Sequence, residues 1–325
     1  MNRLILTIHW PKSHISAHAI CIIFLLSWSH AFAEDNTLLG TSNNDIVALL
    51  DEPRNFLSYN LLNFSDSIDQ IFSNTENFSS DNSSYARLSV ASVWLDEGRP
   101  YPLTDAYIYF SLPRTEDRFS LLLQTDAAED SDSDGVNLLP GSPSRKSNAL
   151  ALRGNIISGT TWHITADIGT KLSTTLDPFV RMTYLQKNQF QSWSLLWRES
   201  IYLFAYQGSG LDNQVRADYP LGDRFHLRMN NQLSFFEQDE ISERSHQLGL
   251  YQKLSDHAAL SYAVGFYQTV EPFDNVYYAQ LRYKSLLHDT WLYYEIIPEY
   301  IYPKSTNFTA TPKLTIKFEM LLGNP

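Results

Sequence analysis

From Tyr85 to the end of the chain, apolar and polar residues alternate with a period of two through run after run. Leu260, Tyr262, Val264 and Phe266 interleave with Ser261, Ala263, Gly265 and Tyr267, and Tyr277, Ala279, Leu281 and Tyr283 with Tyr278, Gln280, Arg282 and Lys284. Phe225, Leu227, Met229, Leu233 and Phe235 stand against His226, Arg228, Asn230, Gln232 and Ser234. The last run sets Leu314, Ile316, Phe318 and Met320 against Thr315, Lys317 and Glu319. Successive side chains of a strand point to opposite faces, so each run is a strand with one greasy face and one polar face. Soluble sandwiches alternate too, but their strands are usually about 5–6 residues long. A tilted strand that crosses a membrane needs about 9–11 residues, and these runs approach that length. The pattern predicts an all-β chain folded as an antiparallel transmembrane β-barrel.

Fourteen such runs can be counted, near residues 85–95, 105–112, 117–126, 147–157, 161–172, 177–187, 192–204, 211–219, 224–237, 242–254, 257–269, 274–285, 289–302 and 309–322. Twelve is the fallback if the first hairpin or the run near Leu211 stays out of the wall. An even number leaves both chain ends on one side, as in bacterial barrels. The connectors then sort into tight turns on the inner side (113–117, 158–160, 220–223, 255–257) and outer loops (96–104, 126–146, 207–210, 303–308). One residue resists the pattern: Glu199 falls on the greasy face of its run, which calls for a bulge or for a place near the membrane interface.

The first 33 residues read as a secretory signal peptide, with Arg3 and Lys12 before an apolar run, Ala19 to Trp28, and an Ala31-Phe32-Ala33 cleavage site. That run is too short for a membrane helix, which needs roughly 20 residues. Its removal takes away Cys21, the only cysteine, so the remaining chain has no thiol chemistry. It also moves the formal charge from −12 to −14, because Arg3 and Lys12 leave and no acid does. Such an acidic chain excludes a general nucleic-acid binder and suits a surface that meets cations and lipopolysaccharide. No later stretch holds an apolar run long enough for a helical span. The 19 Tyr, 18 Phe and 7 Trp fit the aromatic girdles of a barrel in its lipid. Residues 34–84 form a separate helical and linker segment ahead of the barrel at 85–325. In it Leu57, Leu61, Phe64, Ile68, Ile71 and Phe72 recur at helical spacing, and a polar tract follows, Ser73 to Ser84. The stripe over 57–72 suits either a plug or lid at the barrel mouth, or a contact with the membrane or a periplasmic partner.

Tyr283-Lys284, Trp291-Leu292-Tyr293-Tyr294-Glu295 with Pro298, and Phe318-Glu319-Met320-Leu321-Leu322-Gly323 resemble a family of uncharacterised outer-membrane barrel proteins from Gram-negative bacteria. The resemblance loosely covers Phe56 to the C-terminus and is carried mostly by the last third. It implies a barrel in the cell outer membrane, delivered to the barrel-assembly machinery, and implies no activity. The chain ends Gly323-Asn324-Pro325, where such barrels commonly end in Phe, although the alternation of the last strand is kept.

The inner parity of the runs collects a candidate lumen set: Arg87, Arg153, Lys171, Arg181, Arg198, Arg216, Arg228, Arg282, Lys284 and Lys317, with Asp167, Asp218, Glu295, Glu299 and Glu319. Charges on the inner face tune selectivity in a water-filled channel, and here base is in excess inside. Arg–carboxylate pairs across the lumen would instead close it. A channel or transport barrel for small polar, anionic solutes is therefore weighed against a closed structural or adhesive barrel working through its loops or its N-terminal helix. Asp130, Asp132 and Asp134 with Gly135 match the first half of a calcium loop, but Gly141 stands where the bidentate Glu belongs. Calcium is thus a weak candidate, and no other cofactor is expected. Catalysis is not expected either. Ser245 and His246 are strand neighbours that point apart, no G-x-S-x-G elbow occurs, and the His residues show no metal spacing.

Overall fold

The computed structural model describes residues 54–55, 58, 84–96, 98–112, 118–125, 148–172, 175–237, 242–270, 273–288 and 291–323. The signal segment, the 73–83 tract and Asp130, Asp132 and Asp134 lie outside them, as does the 57–72 stripe apart from Ser58.

Fourteen strands form one closed sheet. They are β1 (Tyr85–Leu95), β2 (Tyr101–Ser111), β3 (Phe119–Thr125), β4 (Asn148–Ser158), β5 (Trp162–Leu172), β6 (Asp177–Gln189) and β7 (Ser194–Phe204). The second half is β8 (Gly208–Leu221), β9 (Phe225–Phe236), β10 (Ser242–Lys253), β11 (Ala258–Val270), β12 (Phe273–His288), β13 (Leu292–Pro303) and β14 (Thr311–Gly323). Each strand pairs antiparallel with the next, and β1 closes on β14 from Tyr85↔Gly323 to Leu95↔Lys313. Closure satisfies every strand edge, which a lipid environment demands. The first hairpin and the run at Leu211 both enter the wall, so fourteen strands stand and the fallback falls.

The pleat sorts the side chains. Outward positions carry Val90, Ile168, Val180, Met182, Ile201, Leu203, Val264 and Phe318, all well exposed. Inward neighbours such as Asp167, Arg181, Ser200, Asp212, Gln214, Asn230 and Glu295 are buried. This inversion of the soluble pattern is what a bilayer selects, since its core rewards apolar contact and the enclosed space does not. Exposed aromatics gather towards the strand ends, with Phe119, Tyr219 and Phe225 at one rim and Phe273, Tyr300 and Phe308 at the other. Short turns at 159–161, 190–193, 222–224 and 254–257 lie on the side where β1 begins and β14 ends, which is the periplasmic side. Gly222 turns there with φ 72°. At the outer side the Lys304–Thr306 3-10 turn ends on Asn307 at φ 52°, a left-handed position that Asn tolerates. A closed, even-stranded antiparallel barrel with a greasy exterior and a polar interior is the outer-membrane type, and the protein spans the outer membrane of a Gram-negative cell.

Two glycines let aromatic rings lie flat on the inner wall. Gly169 pairs with Ala151 and Phe179, and a Cβ there would meet the Leu150 carbonyl oxygen, the Ala151 Cβ at 2.7 Å and the Phe179 ring at 2.8 Å. Gly210 pairs with Phe236, and a Cβ there would meet the Phe236 ring at 2.5 Å. The Leu150 backbone cannot swing aside as a side-chain tip can. Gly169→Val is expected to cost about 1–3 kcal/mol by overpacking, read as a lower urea midpoint of the barrel in vesicles. An unchanged midpoint would mean that Phe179 does not pack on that wall.

Candidate functional site: the charged inner wall

The inner face divides into two charged sectors and one aromatic one. The first sector runs over β4 to β9. Arg153, Asp167 and Arg181 are cross-strand neighbours in one row, and the row ends on Tyr202. The Asp167 carboxylate accepts from Arg153 Nε at 2.8 Å and from Arg181 Nε at 2.5 Å, and Arg181 Nη1 donates to the Tyr202 hydroxyl at 3.4 Å. Asp167 is 0% exposed and Arg181 2%, so this pair is held out of water. Burying such charges is tolerable only because each has partners on both sides.

Towards the periplasmic end Asp218 gathers Arg216 (3.2 Å), Arg228 (2.6 Å) and the His226 ring (2.8 Å). Arg198 differs. Its guanidinium reaches Asp212 only at 4.0 Å, and its Nε has no hydrogen-bond partner among the described residues. Asp212 is already served by Gln232 (2.9 Å) and the Ser234 hydroxyl (2.6 Å). Arg198 is nevertheless buried. On these strands five arginines, Arg153, Arg181, Arg198, Arg216 and Arg228, face inward with four aspartates, Asp167, Asp177, Asp212 and Asp218.

The second sector lies on β12 to β14. Lys284, Glu295 and Lys317 are paired across the three strands. Lys284 Nζ donates to Glu319 at 2.7 Å and lies 3.2 Å from Glu295, Lys317 reaches Glu319 at 3.5 Å, and Arg282 reaches Glu295 at 3.8 Å. Lys313 holds Glu299 at 3.3 Å. Lys171 stands apart near the outer rim, donating to Gln207 at 3.5 Å, and Arg87 lies over the Tyr107 ring. The fifteen residues singled out by parity all take inward positions, and all but Arg87 and Lys171 fall into the two sectors.

Between the sectors and the outer rim sits an apolar group that parity alone had not collected. Tyr107, Leu122, Ala149, Ala151, Phe179, Tyr202, Phe204 and Phe236 pack together on the inside of the wall. Tyr202 stacks on Phe204 at 5.7 Å, and Phe204 meets Phe179 at 5.4 Å. The aromatic count had been assigned to lipid girdles, and part of it lines the interior instead. Asp212 and Lys313 were also missed, although they share the parity of Arg216 and Lys317, and Glu243 was missed on a strand from which no lumen residue was singled out. At the rim, Glu237 accepts from the Ser209 N–H (3.1 Å) and hydroxyl (3.0 Å), which holds its carboxyl below the usual range.

At the periplasmic end the Ser58 hydroxyl accepts from the Gly323 N–H at 3.1 Å, and the Arg54 guanidinium lies 5.9 Å from the Trp291 ring. Residues 54 and 58 thus touch the rim where β14 ends. Ser245 faces inward, whereas His246 faces outward and bonds Asn231 at 2.8 Å, so the two do not converge. No group of His, Cys, Asp or Glu among the described residues has the arrangement of a metal site.

No protein-family model matches the chain, and no curated protein matches it. Among solved structures it is similar to OprB of Pseudomonas putida at high pH, with 10% identity and a TM-score of 0.48 over 74% of this chain and 94% of that one. The outer-membrane channel DcaP of Acinetobacter baumannii is also 10% identical, with a TM-score of 0.43 over 74% of this chain and 96% of that one. OmpT of Vibrio cholerae, an outer membrane protein, is 8% identical, with a TM-score of 0.44 over 76% of this chain and all of that one. These likenesses are too distant to speak to activity.

Proposed function

We propose that the chain is an outer-membrane channel through which small anionic solutes pass. The observation that carries the reading is the inward sector of β4 to β9, where arginines outnumber aspartates and Arg198 is left with a loose counter-charge. A barrel of this strand number encloses more room than its own side chains fill. A lumen with surplus fixed cations draws anions in and repels cations. The aromatic group towards the outer end narrows the passage on the β2–β9 side and would restrict it to small solutes.

A closed structural barrel is the second reading, favoured by the near-complete burial of Asp167, Arg181 and Glu295. Planar-bilayer recording of the heat-modifiable protein separates the two. The channel reading expects discrete conductance steps and, across a KCl gradient, a reversal potential displaced towards that of chloride. Absence of steps from folded protein would leave the closed barrel standing, and a displacement towards potassium would refute the anion preference.

A further inference from the structure

The outward face carries a belt that lipid does not account for. Glu199 is the central residue of β7, with unbroken pairing on both sides: Tyr184↔Glu199 on β6 and Glu199↔Asn213 on β8. There is no bulge, and five residues separate Glu199 from either strand end, so neither of the two explanations suggested by the sequence holds. Asn213 stands beside it on β8, Asn231 faces outward from the middle of β9, and His246 continues the line on β10, bonded to Asn231 at 2.8 Å. A carboxylate, two amides and an imidazole therefore cross four adjacent strands near mid-height. On the other described strands, outward Asn, Gln, His and charged residues stand within three positions of a strand end, as Gln186, Gln268 and Asn275 do.

Groups of this kind facing hydrocarbon on one side of a barrel mark a surface that meets something other than lipid. We propose that β7 to β10 form the face through which two copies of this chain pair in the membrane. The belt is self-complementary. A half-turn about an axis normal to the membrane, passing between β8 and β9, exchanges its two ends. Glu199 then meets the partner's His246, and Asn213 meets the partner's Asn231. A carboxylate is brought beside an imidazole, and each amide beside another amide able to both give and accept. Arg244, two residues nearer the outer end of β10, adds its charge on the side that the partner's Glu199 approaches. Glu199 and Arg244 are the charged residues that face outward from the described strands, and both fall on this face. Ile201, Leu211 and Phe235 above the belt supply the apolar contact around it.

The test uses the full chain extracted from outer membranes in mild detergent, with its mass read by light scattering. Two copies per particle are expected. In native membranes that hold both an Asn213→Cys chain and an Asn231→Cys chain, mild oxidation is expected to give a disulfide-linked band of twice the chain mass. Ile168→Cys and Phe318→Cys, on outward positions of other strands, are expected to give none. Converting the belt to Leu (Glu199→Leu, Asn213→Leu, Asn231→Leu and His246→Leu together) should leave a heat-modifiable barrel of single-copy mass, because those residues then suit lipid. A wild-type mass of one or three copies, cross-links to a different protein, or a Leu variant that still pairs would each overturn the proposal.

Discussion

Replacing Asp167 by Ala is expected to lower the stability of the barrel by about 3–5 kcal/mol, the usual cost of breaking a buried ion pair from one side. The carboxylate is fully buried and serves two guanidiniums, Arg153 and Arg181, on the strands either side of it. Its loss takes the 2.5 Å carboxylate partner away from Arg181, which is 2% exposed and whose bond to the Tyr202 hydroxyl is long, at 3.4 Å. The penalty is that of an orphaned charge, so removing the charge should undo much of it. Asp167→Ala with Arg181→Met is expected to recover at least about 2 kcal/mol, since an apolar replacement of a buried pair is often neutral. Reversible urea unfolding in lipid vesicles measures both variants. A single-variant loss below about 1 kcal/mol would show that water reaches Arg181 freely, because solvent then replaces the missing partner.

The barrel was legible in the sequence for a simple reason. Strand side chains have a period of exactly two, and a bilayer outside with polar space inside imposes opposite chemistries on the two phases. Runs such as Leu260 to Tyr267 or Leu314 to Met320 therefore fix both the strand and its facing. The charged sectors were legible as a set of inward residues, but their partnerships were not. Whether Arg198 sits beside Asp212 depends on register between strands, which depends in turn on turn lengths and not on either strand alone. The outward belt was half visible. Glu199 broke the pattern openly, whereas Asn231 showed only as a gap in a greasy series that jumps from Met229 to Leu233. The inner aromatics left no such mark, because a ring on the inner parity of Tyr202 or Phe236 looks the same in sequence as one placed at an interface.

The second large effect concerns selectivity. Arg153, Arg198 and Arg216 can each be changed to Gln without stripping a carboxylate bare. Asp167 keeps Arg181, Asp212 keeps Gln232 and Ser234, and Asp218 keeps Arg228 and His226. The triple variant should consequently fold and migrate as a heat-modifiable barrel. An ion passing at ~8 Å feels each unit charge by about 0.5 kcal/mol in water, roughly halved by salt at 0.1 M. Three lost charges then amount to about 0.7 kcal/mol, near threefold against anions and threefold in favour of cations. The anion-to-cation permeability ratio is expected to fall by about tenfold, measured from the reversal potential across a KCl gradient. Lys at the same three positions keeps the charge while losing the planar fork, so that variant should retain the wild-type ratio if charge is the cause. Conducting protein whose ratio does not move in the Gln variant would show that ions take a path away from β4 to β8. The lysine-rich sector of β12 to β14, where Lys284 and Lys317 flank Glu295 and Glu319, would then be the wall that they follow.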